Sequence, residues 1–142
     1  MVPNSVENAD PSRPVVLLIV EDDVLIRAAT TSYLRGVGYE VLEAVNVEQA
    51  EGILRSRADV GLVFCDVKLP GERSGFDLLE VIRQDFPLVK VLFASGVIKA
   101  EEAARDGVPF LRKPYILLEV QRRIEALLAP DPDSASGSSR TS

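Results

Sequence analysis

Short apolar segments alternate with amphipathic segments along the central part of the chain. The apolar segments predict five β-strands, over Val15–Val20, Tyr39–Ala44, Val60–Cys65, Lys90–Ala94 and Pro109–Leu111. Most of them show little alternation between apolar and polar residues, which is typical of parallel strands that are buried on both faces.

The segments between the strands have the period of amphipathic helices. The apolar face predicted for the first helix consists of Leu25, Ile26, Ala29 and Tyr33. Gly36 and Gly38 are expected to end this helix. The last helix is predicted over Ile116–Leu128, with an apolar stripe of Ile116, Val120, Ile124, Leu127 and Leu128.

Two further helices are predicted between the second and fourth strands. Asn46 and Gln49 have the spacing of a capping box that opens a helix over Val47–Arg55. The next helix carries its apolar residues at Phe76, Leu79 and Ile82, and Phe86-Pro87 is expected to end it.

Strands that alternate with helices predict an α/β fold with a doubly wound parallel sheet. Right-handed crossovers place helices on both faces of such a sheet. Functional residues are then expected beyond the carboxyl ends of the strands.

The length of 142 residues suits one domain. Residues 1–13 and 130–142 lack apolar periodicity and are rich in Ser, Pro, Asp and Asn, so we predict that both are disordered. The ordered domain is predicted over residues 14–129.

Charge and composition exclude several classes of function. The net charge is −6, which argues against nucleic acid as a direct partner. The absence of histidine excludes a serine-type catalytic triad and a His-ligated zinc site. A single cysteine suits a reducing compartment, and no segment has the length of a membrane span, so a cytoplasmic protein without membrane contact is predicted.

Polar residues follow four of the predicted strands at their carboxyl ends. These residues are Glu21-Asp22-Asp23, Asp66, Ser95 and Lys113. Two like charges about 4 Å apart repel by about 4 kcal/mol at an effective dielectric constant of 20, so a cation is expected among the acids. Mg²⁺ prefers such oxygen ligands, and a strand-end aspartate beside it can act as a nucleophile toward phosphorus.

Four motifs in this order and strand context resemble the receiver domain of two-component response regulators. They are "LLIVEDD", "VFCDVKLPG", "LFASG" and "FLRKPY". The resemblance covers residues 14–129 and implies a flavodoxin-like (CheY-like) three-layer sandwich with strand order 2-1-3-4-5. It also implies a signalling domain that is not an enzyme, although it assists its own phosphorylation and dephosphorylation.

The resemblance implies a role for each matching residue. Asp66 matches the aspartate that accepts the phosphoryl group from a sensor histidine kinase or a histidine phosphotransferase. Asp22 matches a direct Mg²⁺ ligand, Glu21 matches an acid that acts through water, and Lys68 matches a residue whose backbone carbonyl binds the metal. Asp23 is expected only to start a helix.

The remaining matches concern the response to phosphorylation. Lys113 is expected to pair with the phosphoryl group, and a cis peptide bond is expected before Pro114. Ser95 matches the switch hydroxyl and Phe110 the aromatic residue that moves with it, which would change a surface read by a downstream protein. Ser95 as a plain helix cap and Phe110 as ordinary core remain alternatives.

Two features depart from the common pattern of the family. The loop after Pro70-Gly71 reads "ERSG" and is one residue longer, and Ser95 and Lys113 are separated by only 18 positions. A short helix over Lys99–Asp106 is therefore predicted. These features are similar to those of stand-alone alphaproteobacterial receivers with a Phe-Ala-Thr-Gly motif.

Two other classes of function fit parts of the pattern. A flavodoxin-like cofactor binder has a similar sheet, but three carboxylates in its first loop would repel a phosphate. A metal-dependent phosphatase with a strand-end aspartate nucleophile normally has a second aspartate two residues later, where this chain has Lys68.

Overall fold

A five-stranded parallel sheet forms the centre of the computed structural model, which describes residues 13–96 and 107–130. The strand order is β2-β1-β3-β4-β5. The strands are β1 (Val16–Val20), β2 (Glu40–Ala44), β3 (Val60–Asp66), β4 (Lys90–Ser95) and β5 (Phe110–Arg112). The five predicted strands are confirmed, and each observed end lies within one residue of the predicted end.

Four helices of the described residues cover the two faces of the sheet. They are α1 (Val24–Val37), α2 (Val47–Ser56), α3 (Gly75–Asp85) and α4 (Leu117–Leu128). Leu34 of α1 and Ile124 of α4 pack with Leu17 of β1 on one face. Leu54 of α2 and Leu78 of α3 belong to the core on the other face. The predicted doubly wound, three-layer α/β fold is therefore confirmed.

The observed helix ends explain how the chain turns at each strand. Asn46 accepts a hydrogen bond from the Gln49 N–H at 2.8 Å, as predicted for the N-cap of α2. The Gln49 side chain accepts its hydrogen bond from the Val45 N–H rather than from Asn46 itself. Helix α1 continues through Gly36 and ends at Gly38, whose φ of 124° favours glycine.

The predicted apolar face of α1 is wrong at Leu25, Ile26 and Ala29, whereas Tyr33 packs against the core as predicted. Leu25 is 79% exposed and Ile26 is also exposed, whereas the buried residues of α1 are Thr30, Thr31 and Leu34. The first turn of α1 lies beside the loops at the carboxyl ends of the strands, so its apolar residues do not reach the core. For the same reason Ile116, which precedes α4 as its N-cap, is 66% exposed and does not belong to the buried stripe.

Three predictions concern residues that the structure does not describe. The short helix predicted over Lys99–Asp106 lies outside the described residues. So do the predicted disordered ends, apart from Arg13 and Pro130.

Within residues 13–96 and 107–130, no helix has the length and apolar character needed to cross a membrane.

Candidate functional site

An open pocket of about 840 Å³ lies at the carboxyl ends of the strands. Six of the predicted site residues line it, namely Glu21, Asp22, Asp66, Lys68, Ser95 and Lys113. They follow the ends of four different strands. They meet in one pocket because parallel strands end at the same edge of a sheet. The seventh predicted residue, Phe110, is not among the lining residues.

Three carboxylates are crowded together in this pocket. Glu21, Asp22 and Asp66 each offer an oxygen atom, and these oxygens all lie within 4.8 Å of one another. Burial raises the pKa of the Glu21 carboxyl group, although the Asp23 N–H and Lys113 oppose this rise. The cluster is therefore an oxygen-rich site where negative charge is concentrated and partly shielded from water.

Asp23 has a separate role from the other two acids of its loop. Its carboxylate accepts a hydrogen bond from the Ile26 N–H at 2.9 Å and caps the N-terminus of α1. This agrees with the prediction that Asp23 starts the helix.

Lys113 places a positive charge directly against the acidic cluster. Its Nζ lies 2.6 Å from Asp66 Oδ2 and 3.7 Å from Glu21 Oε1. Burial by itself lowers the pKa of Lys113, but the hydrogen bond to Asp66 and the attraction of both carboxylates outweigh it and raise that pKa. The lysine therefore remains a cation. The peptide bond between Lys113 and Pro114 is cis, as the resemblance implies.

The carboxylate of Asp66 is held at both of its oxygens. Asp66 ends β3 and is 9% exposed. Its Oδ1 accepts a hydrogen bond from the Lys68 N–H at 3.1 Å, and its Oδ2 accepts one from Lys113 Nζ. The arrangement fixes the direction of a carboxylate that faces an open pocket.

Ser95 lies at the end of β4, next to the strand of Asp66, and Phe110 lies on β5, the strand after it in the sheet. The buried Ser95 hydroxyl donates to the Gly96 carbonyl at 3.0 Å, and the Ser95 carbonyl accepts from the Lys113 N–H at 2.8 Å. Phe110 is half-buried, lies opposite Phe93 in the sheet and packs against the core beneath α2 and α3. The chain thus links Ser95 to Lys113 through a backbone hydrogen bond.

Gly75 at the start of α3 has a role in the site beyond those predicted from the sequence. Its N–H donates to the Val67 carbonyl at 2.7 Å, which draws α3 onto the end of β3. A Cβ atom at this position would lie 2.8 Å from the Asp66 carbonyl oxygen and 2.9 Å from Val67 Cα. The sequence signal is Ser74, which caps α3 together with Asp77 and so sets Gly75 at the first helical position.

A Gly75→Ala substitution is expected to lower the free energy of unfolding by about 1–3 kcal/mol, because backbone atoms cannot yield to the added methyl group as a side chain could. The matched control is Gly52→Ala in the middle of α2, where an added Cβ meets nothing within 4 Å. The free energy of unfolding of Gly52→Ala is expected to rise by about 0.5–1 kcal/mol, because alanine has a higher helix propensity than glycine. Chemical denaturation of both variants checks these opposite signs, and equal effects would contradict the close approach at Gly75.

Comparison with known proteins identifies the family. The family model for the response regulator receiver domain matches residues 17–125. The chain therefore belongs to the response regulator receiver domain family. The sensor kinase CckA of Brucella abortus (strain 2308) is 34% identical over 126 residues, which are 84% of this chain and 13% of that protein.

Solved structures of receiver domains have the same fold. The receiver domain of the hybrid histidine kinase CckA is 31% identical with a TM-score of 0.68, and the match covers 80% of this chain and 99% of that one. A response regulator receiver protein from Pseudomonas putida is 28% identical with a TM-score of 0.72, and the match covers 81% and 98% of the two chains.

These similarities define the general function. The chain is a receiver domain of two-component signalling, a class that accepts phosphoryl groups. It spans between 13% and 51% of the length of four curated relatives, so their whole activities do not transfer to it. The predicted assignment to the Phe-Ala-Thr-Gly subgroup is not confirmed by these relatives.

Proposed function

We propose that Asp66 accepts a phosphoryl group from the phosphorylated histidine of a sensor histidine kinase or a histidine phosphotransferase. The observation that carries this proposal is the position of its carboxylate, which faces the open pocket between Lys113 Nζ and two further carboxylates. The 142 residues contain no histidine, so the donor histidine lies outside this sequence. The alternative of a phosphatase is weaker, because Lys68 occupies the position of that enzyme's second aspartate.

Mg²⁺ fits the donor set at this site. Glu21, Asp22 and Asp66 provide only oxygen ligands, and their closeness favours a small divalent cation. We propose Asp22 and Asp66 as direct ligands, Glu21 as a ligand through water and the Lys68 carbonyl as a backbone ligand. When bound, Mg²⁺ supplies positive charge that stabilises the phosphoryl oxygens.

The chain's own residues then divide the work of transfer. A carboxylate oxygen of Asp66 attacks phosphorus, an O–P bond forms, and the P–N bond to the partner's histidine breaks with imidazole as the leaving group. Lys113 offers its charge to a phosphoryl oxygen, since it already lies beside Asp66. The Ser95 hydroxyl can rotate from the Gly96 carbonyl to donate to another phosphoryl oxygen.

The direct test is the intact mass of the protein after incubation with acetyl phosphate. One adduct of about 80 Da is expected with Mg²⁺ and much less with a chelator. Turnover of a generic phosphomonoester is expected to be absent, because we propose a signalling domain and not an enzyme. Sustained turnover without an adduct would favour the phosphatase alternative.

We further propose that residues 14–129 form the receiver unit and act in the cytoplasm, where a kinase would supply the phosphoryl group. The family match over residues 17–125 supports these limits. The partners are a phosphorylated histidine protein and a downstream protein that reads the changed surface.

We propose Ser95 and Phe110 as the switch pair. A new hydrogen bond from Ser95 to the phosphoryl group would move the end of β4, and Phe110 lies on β5 beside it. Such a contact differs between the two states, so it can shift their populations.

Beryllofluoride, which mimics an aspartyl phosphate, is expected to change amide hydrogen exchange across β4 and β5 in the wild-type protein. The Ser95→Ala variant is expected to bind the mimic but to show little of this change in exchange. The hydrogen bond from the Ser95 hydroxyl, which differs between the two states, is absent from this variant. Ser56→Ala is the matched control, since its hydroxyl donates to the Ile53 carbonyl at the end of α2. An unchanged exchange pattern in Ser95→Ala would contradict the switch role.

A further inference from the structure

The side chain of Arg27 in α1 makes one contact with the loop of the acidic cluster and another with β2. Its side chain is only 18% exposed. Nη1 donates to the backbone carbonyl of Glu21 at 2.8 Å, and Nε pairs with Glu43 Oε1 at 3.0 Å. Glu43 lies on β2, so the guanidinium group connects a helix, a strand and the loop after β1.

The contact with Glu21 falls at the turn between β1 and α1. The N–H of Glu21 still continues the sheet, because it donates to the Ala44 carbonyl at 3.0 Å. Its carbonyl belongs to the next peptide plane, which joins Glu21 to Asp22. Arg27 holds that carbonyl, so it fixes the orientation of the peptide plane from which the Asp22 side chain departs.

We propose that Arg27 is a positioning residue for the cation site. Its hydrogen bond to the Glu21 carbonyl orients the side chains of Glu21 and Asp22. The inference rests on the proposed function of these acids as the Mg²⁺ site. Arg27 touches neither the cation nor the phosphoryl group in this role. It acts through the backbone of the loop, and Glu43 holds it in place.

The sign of the effect separates positioning from simple electrostatics. The positive charge of Arg27 repels a nearby cation, so removing only that charge would tighten Mg²⁺ binding. Loss of the hydrogen bond to the Glu21 carbonyl would instead let the loop and its carboxylates move, and Mg²⁺ binding would weaken. The two explanations therefore predict opposite changes in affinity.

Arg35 is a matched control on the same helix. Its Nη2 donates to the Val41 carbonyl at 2.7 Å and lies 3.8 Å from Glu43 Oε2. It thus makes the same kinds of contact as Arg27, with a backbone carbonyl and with the same glutamate. Its carbonyl partner belongs to β2 and not to the loop of the acidic cluster.

The test is a Mg²⁺ titration followed by amide NMR chemical shifts, in the wild-type protein, Arg27→Gln, Arg27→Lys and Arg35→Gln. Arg27→Gln is expected to bind Mg²⁺ about 10-fold more weakly. Arg27→Lys keeps the charge and one donor, so it is expected to recover part of the affinity. Arg35→Gln is expected to bind as the wild type does.

A second readout is the rate of phosphorylation by acetyl phosphate as a function of Mg²⁺ concentration. In Arg27→Gln the half-saturating Mg²⁺ concentration is expected to rise while the rate at saturating Mg²⁺ is retained. A residue needed only for folding would lower the amount of reactive protein and leave the half-saturating concentration unchanged.

Each other outcome overturns the inference. Unchanged or tighter Mg²⁺ binding in Arg27→Gln would reject positioning while leaving the proposed function intact, provided that the wild type binds. A wild-type protein that does not bind Mg²⁺ would reject the proposed function and the inference together. If Arg27→Gln fails to fold, the test rests on Arg27→Lys. A Mg²⁺ affinity of Arg27→Lys equal to that of the wild type would then reject a role for the two contacts of the guanidinium group, with the Glu21 carbonyl and with Glu43.

Discussion

Asp66→Asn is expected to gain no phosphoryl adduct when it is incubated with acetyl phosphate and Mg²⁺. The substitution keeps the size of the side chain, and its amide oxygen can still accept the hydrogen bond that the Lys68 N–H donates. It removes the carboxylate, which is the only form of this side chain that can act as the nucleophile. Intact-mass spectrometry of the variant beside the wild type measures the loss.

Asp23→Asn is the matched control for this loss. Asp23 lines the same pocket, and its carboxylate serves as the N-cap of α1. Asparagine is as good an N-cap as aspartate, so the fold is expected to be preserved and the adduct retained. An adduct of wild-type yield in Asp66→Asn would show that another residue accepts the phosphoryl group.

Mg²⁺ binding is expected to be at least about 10-fold weaker in Asp22→Asn and nearly unchanged in Asp23→Asn. The two residues are adjacent, but only Asp22 belongs to the cluster of carboxylates within 4.8 Å of one another. Titration of Mg²⁺ against the melting temperature of both variants measures the difference. The metal-free melting temperature of Asp22→Asn is expected to equal or exceed that of the wild type, because one of three crowded negative charges is gone.

An equal loss of the Mg²⁺ response in both variants would contradict the division of roles in this loop. A loss confined to Asp23→Asn would reverse it. Neither result would affect the role of Asp66, which the mass measurement tests separately.

The strands and the site could be predicted from the sequence because both depend on strong local signals. Apolar segments such as Val16–Val20 are buried throughout, and this kind of run is typical of parallel strands. Polar residues at the ends of such strands meet at one edge whatever the details of the helices. Asp66 and Lys113 are far apart in the chain, and yet they meet at one edge, because β3 and β5 are parallel strands of the same sheet.

The buried face of α1 could not be predicted in the same way. Periodicity identifies a helix but not where the sheet beneath it ends, so it places Leu25 and Ile26 on the apolar face. In the structure two threonines and Leu34 face the sheet instead. The buried positions Thr30 and Thr31 are polar residues, so a search for apolar periodicity does not mark them.

The roles of Gly75 and Arg27 both depend on close approaches to backbone atoms of other residues. The space beside Gly75 is set by the carbonyl oxygen of Asp66, and the partner of Arg27 is the carbonyl of Glu21. Backbone carbonyls are the same at every position, so no residue pattern marks which one a side chain will meet. Only the three-dimensional structure identifies these two contacts.

Phosphorylation of Asp66 is tested most directly by chemical mapping of the phosphorylated residue. Borohydride reduces an aspartyl phosphate to homoserine, and peptide mass spectrometry then locates the changed residue. After treatment with acetyl phosphate and Mg²⁺, homoserine is expected at position 66 and at no other aspartate. Homoserine at Asp22 or Asp23, with residue 66 unchanged, would show that Asp66 is not the residue that accepts the phosphoryl group.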